Sequence, residues 1–172
     1  MLQFIATRDH KLMRKVNKWP APKWVRLLAI GATRAGDGWL WYVTGLLVIL
    51  FGGRNRFTAT AAAGSAAAFG IGFFICLKKL SGRKRPCEIE PHCWARLLPP
   101  DQFSFPSGHT ITAFAVAITL SEFYPTLLVI LLFCAFAIAA SRILLGMHFL
   151  SDVVVGAVLG TGLALASHSV FA

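Results

Sequence analysis

The sequence predicts an all-α, polytopic membrane helix bundle with about six transmembrane helices, and three observations carry that prediction. Hydrophobic residues make up 56% of the 172, only 14% are charged, and the mean hydropathy is +0.66. A soluble domain holds about 25% charged residues. The apolar residues also fall into several separate runs, several of them near the roughly 20 residues that span a bilayer as helix. Finally, the basic residues collect at the ends of these runs and between them.

In chain order, residues 1–20 read as a basic amphipathic helix lying on the membrane surface, with Leu2, Phe4, Ile5, Leu12, Met13 and Val16 available to enter lipid. A solvated basic tail is the alternative. "TRDHKLMRKVNKW" stands ahead of the first apolar run, which therefore comes too late for a cleaved secretory signal. Residues 24–35 are the weakest span, a short apolar stretch flanked by Arg26 and Arg34. Residues 39–51 open with Trp39, Trp41 and Tyr42, an aromatic cluster suited to a membrane interface. Residues 57–77, "TATAAAGSAAAFGIG" and its flanks, are rich in small side chains that permit close helix contact. That surface fits packing inside the bundle or between protomers of a homo-oligomer. Residues 109–124, 126–145 and 153–171 complete the set.

The formal net charge is +10, which in a soluble protein would suggest nucleic acid. In a membrane chain the positive-inside rule accounts for it, and no nucleic-acid partner is expected. Seven Lys or Arg precede Leu27, and Arg54 and Arg56 lie in "GGRNR". Both regions are therefore expected at the cytoplasm, an arrangement that six spans allow and five do not. Residues 21–172 then form one transmembrane domain, with an extracytoplasmic loop at 78–107 and the C-terminus inside. One conflict follows: Lys78, Lys79, Arg83, Lys84 and Arg85 fall outside, against the rule unless they bind something anionic.

Three polar clusters fall on one face of this topology: "KKLSGRKRP" at 78–86, "FPSGHT" at 105–110 and "SRILLGMHFLSD" at 141–152. All sit at helix ends, whereas transporters and proton relays more often hold ionisable groups near the midplane. Lys78, Arg85 and Arg142 offer cations for phosphate oxygens; singly, cations such as Lys79, Arg83 and Lys84 read as snorkelling side chains. Ser107 suits a helix N-cap, and Gly108 lets backbone N–H groups approach an anion. His109 would face the loop, where a structural role is the plainer alternative. His148 and Asp152 are four apart and share a helix face, as a tautomer-fixing pair or as a simple helix start.

Together these residues match K-x6-R-P (Lys78, Arg85, Pro86), P-S-G-H (106–109) and S-R-x5-H-x3-D (Ser141, Arg142, His148, Asp152). All eleven motif positions are present, in order. Over residues 36 to 170 the chain resembles the type 2 phosphatidic acid phosphatase superfamily, the integral membrane lipid phosphate phosphatases. The resemblance implies hydrolysis of a lipid phosphate or pyrophosphate through a phosphohistidine, with no cofactor and no metal. It makes His148 the nucleophile, oriented by Asp152, and His109 the general acid and base. It assigns Lys78, Arg85, Ser107, Gly108 and Arg142 to phosphate binding, with Ser141 in support. The physics agrees: phosphoryl transfer asks chiefly for positioning and charge compensation, which cations can supply.

The expected partners are the bilayer and a lipid phosphate: undecaprenyl pyrophosphate, toward which the reading leans, phosphatidylglycerol phosphate or phosphatidate. The expected location is a bacterial inner membrane, with the active site on the extracytoplasmic face. Two other classes share the pattern: a vanadate-dependent haloperoxidase, disfavoured by the apolar spans, and a non-catalytic lipid-phosphate binding or transport protein, disfavoured by the intact histidines. In the loop, Cys87 and Cys93 fit a disulfide, or with His92 part of a metal site lacking an evident fourth ligand. Cys76 and Cys134 read as apolar filler, and Trp94, Leu97 and Leu98 as interfacial anchors. His168 is expected to be structural, and His10 is given no role.

Overall fold

A computed structural model of the chain describes residues 2–90 and 103–172. Apolar runs become helices because a backbone in lipid must satisfy its own hydrogen bonds. Among the described residues there are eight: α1 (Leu2–Asn17), α2 (Lys23–Ala35), α3 (Trp39–Phe51), α4 (Arg56–Ser81), the single turn α5 (Pro86–Ile89), α6 (Gly108–Phe123), α7 (Leu128–Leu144) and α8 (Leu150–Phe171). Three stretches, Gly53–Ser81, Pro125–Leu144 and Leu150–Phe171, are long and apolar enough to cross a membrane, and Trp39–Phe51 is apolar but shorter. Six long helices, α2, α3, α4, α6, α7 and α8, build the expected bundle.

Helix α6 is its centre, with Ile111, Ala113, Ala115, Ala117 and Leu120 almost wholly buried. The small-residue face of α4 (Ala59, Ala62, Ala63, Ala66 and Gly70) is buried within this one chain, so that stripe serves the bundle interior. Residues 59, 62, 63, 66 and 70 recur at helical spacing and form one stripe. On α8, Gly156 and Gly160 face α6 so closely that a Cβ at Gly160 would stand 2.4 Å from the Ile111 carbonyl oxygen. Small residues permit this backbone approach, and packing replaces the hydrophobic drive that lipid removes. In contrast, Val129, Phe133, Val158 and Val170 stay exposed, as lipid-facing side chains must.

The bundle has two distinct ends. At one, the Tyr124 hydroxyl after α6 donates to the Gly52 carbonyl (2.9 Å), and His168 meets Phe123 edge-on. The other holds the last turns of α4 and α7 and the first turns of α6 and α8. Helix α2 enters from this second end: Ala29 packs with Leu145 and Met147, Thr33 meets Arg142, and Gly36 abuts Ile138. It therefore runs antiparallel to α7 and in the same sense as α3, which continues to the far end at Gly52. The two read as one descent broken at residues 36–38.

Helix α1 corrects the predicted topology. Its buried residues Asp9 and Met13, one turn apart, dock on protein: Asp9 on Ser151 and His10 edge-on to Phe149 at 5.2 Å. The N-terminal segment and the polar clusters thus lie at the same end, whereas the sequence reading set them on opposite faces. Hydropathy cannot detect that α2 and α3 point the same way, and counting them as opposed passes separated the N-terminus from the polar clusters by one crossing. The aromatic trio also divides: Trp39 and Tyr42 are exposed, but Trp41 is buried. Residues His92, Cys93, Trp94, Leu97 and Leu98, and with them the expected Cys87–Cys93 bridge, lie outside the described residues.

Candidate active site

Four helix ends and one turn converge on the site. Helix α4 runs past the expected end at residue 77 to Ser81, so Lys78 sits in its last turn, 8% exposed, with its ammonium 5.3 Å from the Phe74 ring centre. Residues 83–84 then pair antiparallel with 103–104: Lys84 bridges Phe103, and the Ser104 N–H donates to the Arg83 carbonyl (2.8 Å). This pairing aims Arg85 inward, where it is fully buried and Nη1 donates to the Met147 carbonyl (2.8 Å). The last turn of α7 carries Arg142, whose carbonyl accepts the N–H groups of Met147 and His148 (3.0 and 3.1 Å) across a turn made at Gly146, φ +66°. Glycine takes that left-handed conformation without a Cβ penalty.

The turn presents His148, 2% exposed. Its Nδ1–H donates to the Ser104 carbonyl at 2.6 Å. That bond fixes the tautomer with the lone pair on Nε2, which accepts a 3.4 Å hydrogen bond from Arg85 Nη1. The sequence reading gave the orienting role to Asp152, but its Oδ2 stands 3.8 Å from Nδ1, beyond hydrogen-bond range. The reason is local: Oδ2 accepts the Phe149 N–H (2.8 Å) at the start of α8, and Oδ1 accepts from Arg83 Nη1 (2.6 Å). Asp152 still lies close enough for its field to act. At an effective dielectric near 20, a charge about 4 Å away is worth about 4 kcal/mol to an imidazolium. His148 lies in the turn outside the spanning helices. Burial holds its pKa well below the ordinary imidazole value, with Arg142, Arg85 and Lys78 adding to the effect and the Ser104 carbonyl opposing it. The free ring is neutral, as a nucleophile requires.

The same pocket holds His109 at the start of α6, its Nε2–H donating to Asp37 Oδ1 at 2.7 Å. Asp37 comes from the break between α2 and α3. Lys78, Arg85, Gly108, His109, Arg142 and His148 all line one cavity of about 580 Å³. Ser107 and Asp152 do not line it. Ser107 is fully buried behind, its Oγ accepting from Thr110 Oγ1 (2.9 Å) and its N–H donating to the Asp152 carbonyl (3.2 Å), which ties α6 to α8. Ser141 is likewise buried, donating to the Ile138 carbonyl (2.6 Å). A second cavity of about 340 Å³ between α3, α4 and α6 shares Trp41, Tyr42, Gly64, Ala67 and Val116 with the first, and its remaining lining includes Leu46, Ile49 and Leu120. The polar pocket thus opens into an apolar groove within the membrane span.

Sequence reasoning missed Asp37, Arg83, Asp9 and the Ser104 carbonyl. Only Asp37 carried a signal, an acid between two glycines just before an apolar run.

Fold and pocket together define a membrane helix bundle with a pocket at one end lined by two histidines and three cations. The PAP2 superfamily model matches residues 57–172, and the chain belongs to that superfamily. It is 36% identical over 121 residues to the decaprenylphosphoryl-5-phosphoribose phosphatase of Mycobacterium tuberculosis, covering 70% of this chain and 65% of that protein. The chain thus spans just under two thirds of that relative's length. It is 29% identical over 177 residues to the lipid A 1-phosphatase of Rhizobium johnstonii, covering 91% of this chain and 71% of that one. Among solved structures, Aquifex aeolicus LpxE superposes with TM-score 0.78 at 28% identity, covering 92% of this chain and 93% of the other. The transmembrane PAP2 type phosphatidylglycerolphosphate phosphatase of Bacillus subtilis superposes with TM-score 0.74 at 21% identity, over 96% and 85%, a likeness of fold.

Proposed function

We propose that this chain is a membrane lipid phosphatase that hydrolyses a lipid phosphate or pyrophosphate through a phosphohistidine, using cations where other phosphatases use metal. The observation that carries the reading is the unprotonated Nε2 of His148, hydrogen-bonded to Arg85 Nη1 at 3.4 Å, in a pocket that also holds His109, Lys78 and Arg142. In the first step Nε2 attacks phosphorus, the P–O bond to the lipid breaks, and His109 gives the leaving oxygen a proton. In the second, His109 takes a proton from water, the water oxygen bonds to phosphorus, and the P–N bond breaks to release phosphate and neutral His148. Lys78, Arg85, Arg142 and the Gly108 N–H hold the equatorial oxygens, and Asp152 stabilises the cationic ring. The apolar groove receives the lipid tail. The names of the two sequence relatives, a decaprenylphosphoryl-5-phosphoribose phosphatase and a lipid A 1-phosphatase, agree with this class. Undecaprenyl pyrophosphate, phosphatidylglycerol phosphate and phosphatidate remain the candidates.

The test is phosphate release by detergent-purified protein in EDTA, across those lipids and a polyprenyl-phosphoryl sugar phosphate. Release from one class, lost in His148→Ala, is expected; no release from any lipid, or full release by His148→Ala, would refute the reading.

The bacterial relatives suit a bacterial cytoplasmic membrane, but the face of the site needs a different assignment from the one read in sequence. With α1 at the site end, fourteen of the 17 Lys and Arg gather there; Arg54 and Arg56 lie at the far end, and Arg96 is outside the described residues. The positive-inside rule then favours a cytoplasmic site and removes the conflict over the 78–85 cluster. A reporter fused after Ala172 tests this: alkaline phosphatase should be active and a fluorescent protein dark. The reverse would return the site to the extracytoplasmic face.

A further inference from the structure

Of the backbone N–H groups at the start of helix α8, its own Asp152 accepts only that of the N-cap residue, Phe149 (2.8 Å). Phe149 has no side-chain acceptor to offer, and the first N–H groups of a helix need one. Asp9 supplies it from 142 positions away: Oδ1 accepts the Ser151 N–H (3.1 Å), and Oδ2 accepts the Ser151 hydroxyl (2.5 Å). The same Oδ2 accepts from Arg83 Nη2 at 2.7 Å. Arg83 lies over the Phe149 ring, 4.2 Å from its centre, and reaches Ser151 Oγ (2.7 Å) and Asp152 Oδ1 (2.6 Å) with Nη1. One guanidinium thus sits between two buried carboxylates, Asp9 on α1 and Asp152 on α8, 5% and 0% exposed.

We propose that Asp9 is a positioning residue: it caps α8 in trans and holds Arg83 on Asp152, and so fixes the turn that presents His148 to the phosphate. The proposal rests on the phosphatase reading above. A lone surface ion pair would mean little, but this one is part-buried, multiply bonded and adjoins the proposed nucleophile. Arg83 fills one of the unspecified places in the K-x6-R-P spacing, and Asp9 precedes residues 57–172, the family-matched part of the chain. The α1 strut is therefore built outside the shared motif set. A merely structural anchor would also use buried bonds, so the test must separate rate from folding.

The experiment compares full-length wild type, Asp9→Asn, Asp9→Glu, Arg83→Gln and the Asp9→Asn/Arg83→Gln double variant. Misplacement of reacting groups by about 1 Å costs on the order of 100-fold. We expect Asp9→Asn and Arg83→Gln each to lower kcat by about 10- to 100-fold, with KM within about 2-fold and partial rescue in Asp9→Glu. The double variant should be no slower than the worse single one, because both act through Asp152. Wild-type kcat in Asp9→Asn would overturn the proposal, whatever its melting temperature. Multiplicative losses in the double variant would overturn the shared route. A parallel readout needs no turnover: amide exchange at 149–152 should quicken about 10-fold in Asp9→Asn while α4 and α6 stay unchanged. If wild type releases no phosphate, the functional reading falls, and this exchange alone decides whether the cap holds the turn.

Discussion

Gly160→Ala should destabilise the protein although it adds only one methyl group. The new Cβ would stand 2.4 Å from the Ile111 carbonyl oxygen, 3.0 Å from the Ala115 nitrogen and 3.0 Å from Phe114 Cβ. The two nearest are backbone atoms of α6 and cannot turn aside, so α6 and α8 must separate by about 1 Å to restore ordinary contact near 3.4 Å. Overpacking of this kind costs about 1–3 kcal/mol, while alanine regains about 1 kcal/mol of helix propensity over glycine. The balance is a net loss of up to about 2 kcal/mol. Gly162, with nothing within 4 Å of its Cβ, is the control: Gly162→Ala keeps the propensity gain and meets no clash. The assay is thermal unfolding in detergent followed by helical circular dichroism, with phosphate release alongside. Gly160→Ala should melt below wild type and Gly162→Ala at or above it. Turnover should fall with Gly160→Ala as well, because the same interface carries the Ser107–Asp152 link. A Gly160→Ala protein that melts with or above Gly162→Ala would refute the argument that backbone contact limits this interface.

Replacing His148 by Asn should remove turnover by at least about 1,000-fold while the helical spectrum is kept, read by phosphate release and circular dichroism. Because the folded His148 pKa is depressed by burial and by Arg142, Arg85 and Lys78, the acid limb of kcat/KM assigned to this ring should lie below pH 6.5. The unfolded chain binds that proton near its ordinary value and the folded chain does not. Folding stability should therefore decline as pH falls below about 6.5, as chemical denaturation at stepped pH would reveal. Asp37→Ala should leave substrate binding within about 3-fold but lower kcat, since it frees the His109 ring held at 2.7 Å; an unchanged kcat would remove Asp37 from the site.

The helices were legible because lipid solvent imposes long apolar runs, and the ends of the predicted spans fall within a few residues of those observed, save where α4 extends to Ser81. The motif residues were legible because each cluster is local: Arg142 and His148, or Ser107 and His109, lie within one turn or helix start. Contacts across the bundle were not. Asp9 meets Ser151 142 positions away, and Asp37 meets His109 72 positions away, distances over which no periodicity speaks. The Ser104 carbonyl left no trace at all, because every residue has one. The close α6–α8 approach did carry a signal, "GAVLG" at 156–160, a small-xxx-small spacing of the kind that brings helices together. The basic residues of the N-terminal segment and of 78–85 are far apart along the chain yet meet at one end of the bundle, where Asp9 pairs with Arg83, and a count along the chain does not reveal that.

The tautomer of His148 depends on a peptide carbonyl, itself held in place by the Arg83 carbonyl and by the Ser104 hydroxyl donating to the Lys84 carbonyl (3.2 Å). No single side-chain replacement can delete such an acceptor. The proton on this ring is thereby insulated from most point mutations, although the buried Ser104 hydroxyl helps to hold the carbonyl that sets it. An alanine scan of the pocket would pass over the group that sets its chemistry, and only a change to the main chain itself, such as an ester in place of the 104–105 amide, would expose it.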